Sequence, residues 1–382
     1  MNMPQKNEAQ TQGSPKSRQV LEIQFMRGLA IIAVMMVHAA GDFSHVVKVD
    51  ESIVARALFY CMTSFGVPIF ILISGFVLYH RYGAEVRICD FYVRRFKKVL
   101  TPYILFSVIY LAFASWENGW HPSKGKCLWM ILTGTSYYHL WFVRMILQIY
   151  LLYPFLAKFY RRFEQQGRVR QLLWGSLVFQ TAANIGIYIA KQWLPSSAHD
   201  TVDVLLVFIG FIFYFFLGIW ASRNRTKVGV VVDDLFKRYA LPGTLLYALA
   251  IFIHVRVLLS GLERYGSQMA TPEIDKIPIA FTRIVTQTLA LMMIYQAARF
   301  LMRRPGIGTP IILRFGKLSY GIYLTHALML SLAARAMNTW FSIGTTSALS
   351  FPINFSLTAI STYLVVSLIN RTPFSEWFLG KG

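Results

Sequence analysis

Charge is scarce in this chain, and acidic charge scarcest. Of 382 residues only 14% are Asp, Glu, Lys or Arg, with 17 acids against 38 basic residues. Soluble domains carry about 25% charged residues, so the composition argues against a water-soluble fold of this length. The three cysteines, Cys61, Cys89 and Cys127, are an odd number without metal-ligand spacing, so neither a zinc site nor a disulfide framework is indicated. No His-Glu-x-x-His pair appears and the histidines are scattered, which leaves metal catalysis without a motif. No strand is expected, so no nucleotide-binding loop can follow one, and Gly306-Ile307-Gly308 reads as a loop hinge. No repeat, low-complexity tract or second domain is visible. Residues 1–20 are polar and lack an apolar core, so they read as a disordered cytoplasmic tail without a cleaved signal peptide.

Apolar residues are abundant. They make up 55% of the chain, and the mean hydropathy of +0.48 is that of an integral membrane protein. Ten spans are expected: Leu21–Gly41, Ala57–Tyr79, Val99–Trp116, Leu140–Ala157, Gln171–Ala190, Val204–Ser222, Tyr239–Val255, Ile277–Ala298, Leu318–Ala334 and Phe351–Asn370. The fold class is therefore all-α and polytopic, with one membrane domain over 21–370 and a short tail over 371–382. Between spans three and four, Cys127–Leu132 is too short to cross and is expected to be interfacial or re-entrant.

The +21 net charge does not point to nucleic acid, because its basic residues cluster between spans. Arg81 to Lys98, Lys158 to Arg170, Arg223 to Arg238 and Arg299 to Arg314 alternate with loops holding only isolated basic residues such as Lys48, Lys191 and Arg335. By the positive-inside rule the first set is cytoplasmic, and both termini are expected inside. The expected location is a bacterial cytoplasmic membrane, crossed many times, with the lipid bilayer as partner.

Two ionisable residues stand out in the first span. Arg27 and His38 are eleven residues apart, three helical turns and a rise of roughly 16 Å, so they share one face at two depths. Ionisable groups in a bilayer are costly and usually mark a functional path, and histidine moves protons near neutral pH. The competing reading is a helix-to-helix hydrogen-bond donor and a snorkelling anchor. On this topology His38, His139 at the start of span four, and His326 in span nine all fall in the outer half or the middle, with Arg144 below His139. Asp42, one turn after His38, reads as a ring-orienting partner or as a solvated loop acid.

Several elements resemble the acyltransferase-3 family of integral membrane acyltransferases. Arg27-Gly28-Leu29-Ala30 with His38 is similar to its Arg-x10-His signature. The run from Phe65 to Phe76, ending Ile73-Ser74-Gly75-Phe76, resembles its second-span element. Arg94-Arg95-Phe96-Lys97-Lys98 through Pro102-Tyr103 resembles its basic loop, with Lys98 where arginine is usual. His139-Leu140-Trp141-Phe142 with Gln148, Tyr150 and Pro154, and Gly316 to His326 with Ser319, Tyr320 and Tyr323, resemble two further elements. Five ordered matches cover most of the chain.

The resemblance implies transfer of an acyl group, usually acetyl from acetyl-CoA, to a hydroxyl of an extracytoplasmic glycan or glycolipid. His38 is then the candidate base or acyl-carrying nucleophile. Arg27, Arg144, Ser74 and Tyr323 are candidate donors to the oxyanion, with His326 completing the catalytic set. Arg94, Arg95 and Lys98 are candidates for the CoA phosphates. His139, Trp141 and Asp42 are candidates for the acceptor. A channel lined by Arg27 is expected to bring the thioester to His38. The alternative is a transporter or flippase for polysaccharide or anionic solutes, which buried arginines and an intramembrane histidine also suit. No matched pair of broken helices marks such a carrier in the sequence.

Overall fold

The computed structural model describes residues 15–41, 43, 49–265, 276–341 and 350–380. All regular structure among them is helical, and nine helices are long and apolar enough to cross a membrane. The remaining expected span, the ninth, Leu318–Ala334, lies within α12 (Thr309–Phe341). At about 50 Å that helix is long enough to cross, but Tyr320, Tyr323, Thr325 and His326 lower its hydropathy.

The centre is built from two helix pairs. α1 (Pro15–Ala40) lies beside α12, and α3 (Gly66–Tyr82) lies beside α9 (Ile212–Arg223). Each pair is parallel and crosses on reciprocal glycines. A Cβ on Gly28 would sit 2.0 Å from the Ile312 carbonyl oxygen, and one on Gly316 would sit 1.9 Å from that of Gln24. Likewise a Cβ on Gly75 would meet the Phe215 carbonyl at 2.2 Å, and one on Gly218 that of Leu72 at 2.0 Å. Backbones this close are possible only where side chains are absent, which is how membrane helices gain packing without a hydrophobic drive.

Two expected spans are broken. The second divides into α2 (Glu51–Thr63) and α3, separated at Ser64 and Phe65. The sixth divides into α8 (Ser196–Leu206), a 3-10 segment Val207–Phe211, and α9. Irregular backbone at membrane depth requires partners for its polar groups, and side chains supply them. Gln287 donates to the Ser64 carbonyl at 2.9 Å, Gln148 donates to Val204 at 2.7 Å, and Gln180 accepts from the Phe213 amide at 3.0 Å.

The other helices surround this core. α4 (Ile88–Asn118) and α6 (Trp141–Gln165) close one side, and the short α5 (Lys124–Thr133) between them matches the expected non-crossing segment. α7 (Val169–Trp193), α10 (Arg225–Tyr265), α11 (Ile277–Arg303) and α13 (Ser350–Ile369) lie around it, and α14 (Ser375–Leu379) packs on α4. α10 kinks at Tyr239, where φ leaves the helical range three residues before Pro242. The outer faces carry Trp174, Phe179, Leu245, Leu249, Phe252, Ile360 and Leu364 in exposed positions, while Ser107, Gln180, His254, Thr286 and Thr362 are buried. Apolar outside and polar within is the arrangement a bilayer selects.

Candidate functional site

The parallel pairing of α1 with α12 sets the geometry. Gly28 precedes His38 by ten residues and Gly316 precedes His326 by ten, so two helices crossing at the glycines carry both histidines to the same height. Their ring centroids are 5.3 Å apart. His139, presented at the start of α6, completes a cluster with its ring 5.0 Å from that of His326. The convergence of the three histidines is thus a result of helix register.

The three are not equivalent. His139 and His326 are buried, whereas His38 is partly open and lines two cavities. The larger, about 690 Å³, is bounded by both helix breaks and includes Ser64, Gly66, Val207 and Phe211 in its wall. The smaller, about 610 Å³, lies between α1, α2, α12 and α13. Tyr60, Tyr138 and Trp141 also border both, so His38 stands at their junction with Tyr138 edge-on at 5.0 Å.

The buried histidines are held in place. Nδ1 of His326 lies 2.6 Å from the Tyr323 carbonyl, and a carbonyl accepts only, so that nitrogen carries the proton and Nε2 keeps its lone pair. Nε2 is buried without a hydrogen-bond partner among the described residues. The Tyr323 hydroxyl donates to the His139 carbonyl. Tyr110 donates to the Leu324 carbonyl at 2.8 Å and accepts from the Leu328 amide at 3.1 Å, which fixes the turn carrying His326.

The remaining expected residues fall in several places. Arg144 lines the larger cavity, donates to the Val204 carbonyl and to that of Asp203 at 3.4 Å, and keeps Nε buried without a partner. Trp141 forms the wall shared by both cavities and stacks on Phe211. Ser74 lines neither cavity and donates to the Phe70 carbonyl at 2.8 Å, the ordinary back-bond of a helical serine. Arg27 lines neither cavity. It lies beside Tyr150, three turns from His38. The larger cavity reaches only to Val34 on α1, so the expected channel past Arg27 is not part of it.

The basic loop is divided by its helix. Arg94 is exposed, whereas Arg95 turns inward with its guanidinium 5.1 Å from the Tyr82 ring and 5.9 Å from the Tyr150 ring. Its Nε and Nη2 are buried without partners, so Arg27 and Arg95 flank Tyr150 as two guanidiniums that could receive an anion. Lys98 is half-buried on the same helix. Asp42 lies outside the described residues. Among the described residues no group of three or more His, Cys, Asp or Glu side chains is placed to hold a metal ion.

Several lining residues lie outside the expected site, Arg283 among them although it stands within the eighth expected span. Tyr60, Tyr138, Tyr188, Lys191, Asp203 and Arg283 all border the larger cavity. Lys191 and Asp203 are joined at 2.6 Å. Most of these sit near helix ends, where hydropathy reads polar residues as loop.

A multi-pass membrane protein with a histidine opening on internal cavities is the class defined by this architecture. The chain matches the profile of the acyltransferase-3 family, an acyltransferase domain, over residues 20–371, and belongs to that family. No curated protein and no solved structure matches it. The protein is therefore a membrane acyltransferase by family.

Proposed function

We propose that the protein moves an acyl group, acetyl in the simplest case, from a cytoplasmic acyl-CoA to a hydroxyl of an extracytoplasmic glycan or glycolipid. The observation that carries this reading is the position of His38, the member of the histidine cluster that opens on the junction of two cavities. Two cavities meeting at one imidazole suit a reaction with two substrates.

His38 takes the proton of the acceptor hydroxyl as its oxygen attacks the thioester carbonyl. The tetrahedral intermediate collapses, the carbon–sulfur bond breaks, and the CoA thiolate leaves with the proton from His38. An acyl-histidine formed first by direct attack is the other use of the same nitrogen. His326 lies against His38 and presents an unprotonated Nε2. Arg144 is the cavity cation suited to the oxyanion. Tyr323 and His139 act as positioning residues, since the Tyr323 proton is engaged on the His139 carbonyl. Arg27 and Arg95 flank Tyr150 where CoA phosphates would enter. Both termini are cytoplasmic in this arrangement, and the His38 end faces outward.

The test is His38→Ala in purified protein supplied with radiolabelled acetyl-CoA and envelope glycans. The native protein should transfer the label and the variant should not while it remains folded in the membrane; no transfer by the native protein would remove the proposal, and full activity in the variant would remove His38 from the reaction. The two broken helices bordering the larger cavity favour a second reading, a proton-coupled carrier. Uptake of labelled glycan into sealed vesicles without acyl transfer would select the carrier.

A further inference from the structure

Arg283 enters no step above. It lies on an otherwise apolar stretch of α11 and reaches the larger cavity with Gln287, one turn further on. Gln287 is engaged on the Ser64 carbonyl. The groups that interact with the Arg283 guanidinium are the tyrosines Tyr188, Tyr60 and Tyr214, and among the described residues no carboxylate pairs with it. Two of its cationic neighbours in the cavity differ, since Lys191 is joined to Asp203 and Arg144 is engaged on backbone carbonyls. A guanidinium does not lose its proton, and a charge at membrane depth without a counter-charge is costly unless it faces a wet cavity or receives an anion.

We infer that Arg283, flanked by Tyr188 and Tyr60, is the subsite for an anionic group, a carboxylate or a phosphate, on the acceptor whose hydroxyl is acylated at His38. This rests on the transferase reading and names its substrate class. The planar fork of a guanidinium matches two oxygens of either group, and phenolic hydroxyls add donors beside it. Tyr60 and His38 line the same cavity as Arg283, so one ligand can touch all three. The volume of about 690 Å³ lies in the range of small-ligand sites. Arg283 thereby becomes a specificity residue. It fixes the acid while the hydroxyl meets His38.

The test uses purified protein in nanodiscs with three probes: methyl glucoside, methyl glucuronide and glycerol 1-phosphate. Binding is read by competition and by thermal shift. At least one acidic probe should bind about tenfold or more tighter than the glucoside, the scale of a hydrogen bond to a charged group. Arg283→Gln should remove that preference, while Arg283→Lys should keep part of it for the phosphate and lose more for the carboxylate. If the Gln variant does not fold, the Lys variant is read alone by the same criterion. Equal binding of neutral and acidic probes, or a preference that survives both substitutions, overturns the inference. So does a loss of acetyl-CoA binding in Arg283→Gln, which would assign the guanidinium to the donor. Absence of acyl transfer by the unsubstituted protein, with the acidic preference intact, would remove the transferase reading and leave the anion site standing.

Discussion

Replacing Gly28 by alanine tests whether the crossing of α1 on α12 sets the active geometry. The new Cβ would lie 2.0 Å from the Ile312 carbonyl oxygen and 2.8 Å from its Cγ2, with the partner atom in the backbone. Ordinary contact begins near 3.4 Å, so the helices must part by about 1 Å or more at this point, because a backbone carbonyl cannot swing aside as a side chain does. Overpacking of this kind costs about 1–3 kcal/mol. The catalytic effect falls at the upper end of that range. His38 and His326 are each ten residues beyond the crossing, and their 5.3 Å separation would grow with it. A misplacement of about 1 Å in a reacting constellation costs on the order of 10²-fold in rate. The assay is turnover of labelled acetyl-CoA by purified, monodisperse protein, with thermal unfolding measured on the same sample. Gly175→Ala and Gly243→Ala are controls, because a Cβ at either meets nothing within 4 Å. The expected result is a turnover reduced about a hundredfold in Gly28→Ala and unchanged in the controls. Native turnover in Gly28→Ala would refute the reasoning, since the distance between the imidazoles would then not depend on the crossing.

Two further outcomes follow from the same structure. Tyr323→Phe leaves the His139 carbonyl without its donor at a cost of about 1 kcal/mol. Turnover should fall by about one order of magnitude, whereas loss of a direct oxyanion donor would cost about 10²–10³ in kcat and would return Tyr323 to the catalytic set. At the Arg27 end of the bundle, Arg299 and Arg303 hold the Asp233 carboxyl down to about 2, the hydrogen bond from Arg299 contributing most. A depressed carboxyl contributes stability that is present above its unfolded value, 3.8, and is lost as pH falls toward 2. Asp233→Asn should therefore destabilise the native protein by about 2 kcal/mol at neutral pH and remove that part of the acid sensitivity below pH 4. A thermal-unfolding profile against pH that is the same for both proteins would count against the pairing.

Much of the architecture is legible from hydropathy and charge. The expected boundaries of spans three, five, eight and nine lie inside single helices, and the short Cys127–Leu132 segment is a helix that does not cross. The two breaks are not legible, because Ser64-Phe65 and Val207–Phe211 interrupt their helices within apolar runs. A window that averages hydrophobicity responds to composition and not to a missing backbone hydrogen bond. Among the groups that repair the breaks, Gln148 stands out only through its place in the family element, and Gln180 and Gln287, uncharged, pass unnoticed for the same reason. The histidines could be brought to similar depth by counting residues, but depth does not fix which ring opens on a cavity. That depends on the register at Gly28 and Gly316, a contact between elements almost three hundred residues apart. Ser74 and Tyr323 show the same limit: residue type makes each a candidate donor, and each gives its proton to a backbone carbonyl.

The two glycine crossings also weigh between the enzyme and carrier readings. A carrier alternates by rocking one group of helices against another around a fixed site, and the moving interface must slide. His38 and His326 belong to α1 and α12, which interlock backbone to backbone at Gly28 and Gly316. A shift along that interface would drive helix backbone into carbonyl oxygen, because packed interfaces of this density have discrete arrangements and do not deform continuously. The broken helices do not supply a sliding surface either. α3 and α9 are locked by Gly75 and Gly218, and the carbonyls at the breaks are bound by glutamines from α6 and α11. What the breaks do provide is space: interrupting two helices on one side of His38 opens a wall that continuous helices would fill. Rigid histidines beside a cavity made by irregular backbone meet the needs of group transfer, in which the reacting atoms must be held and the substrates admitted.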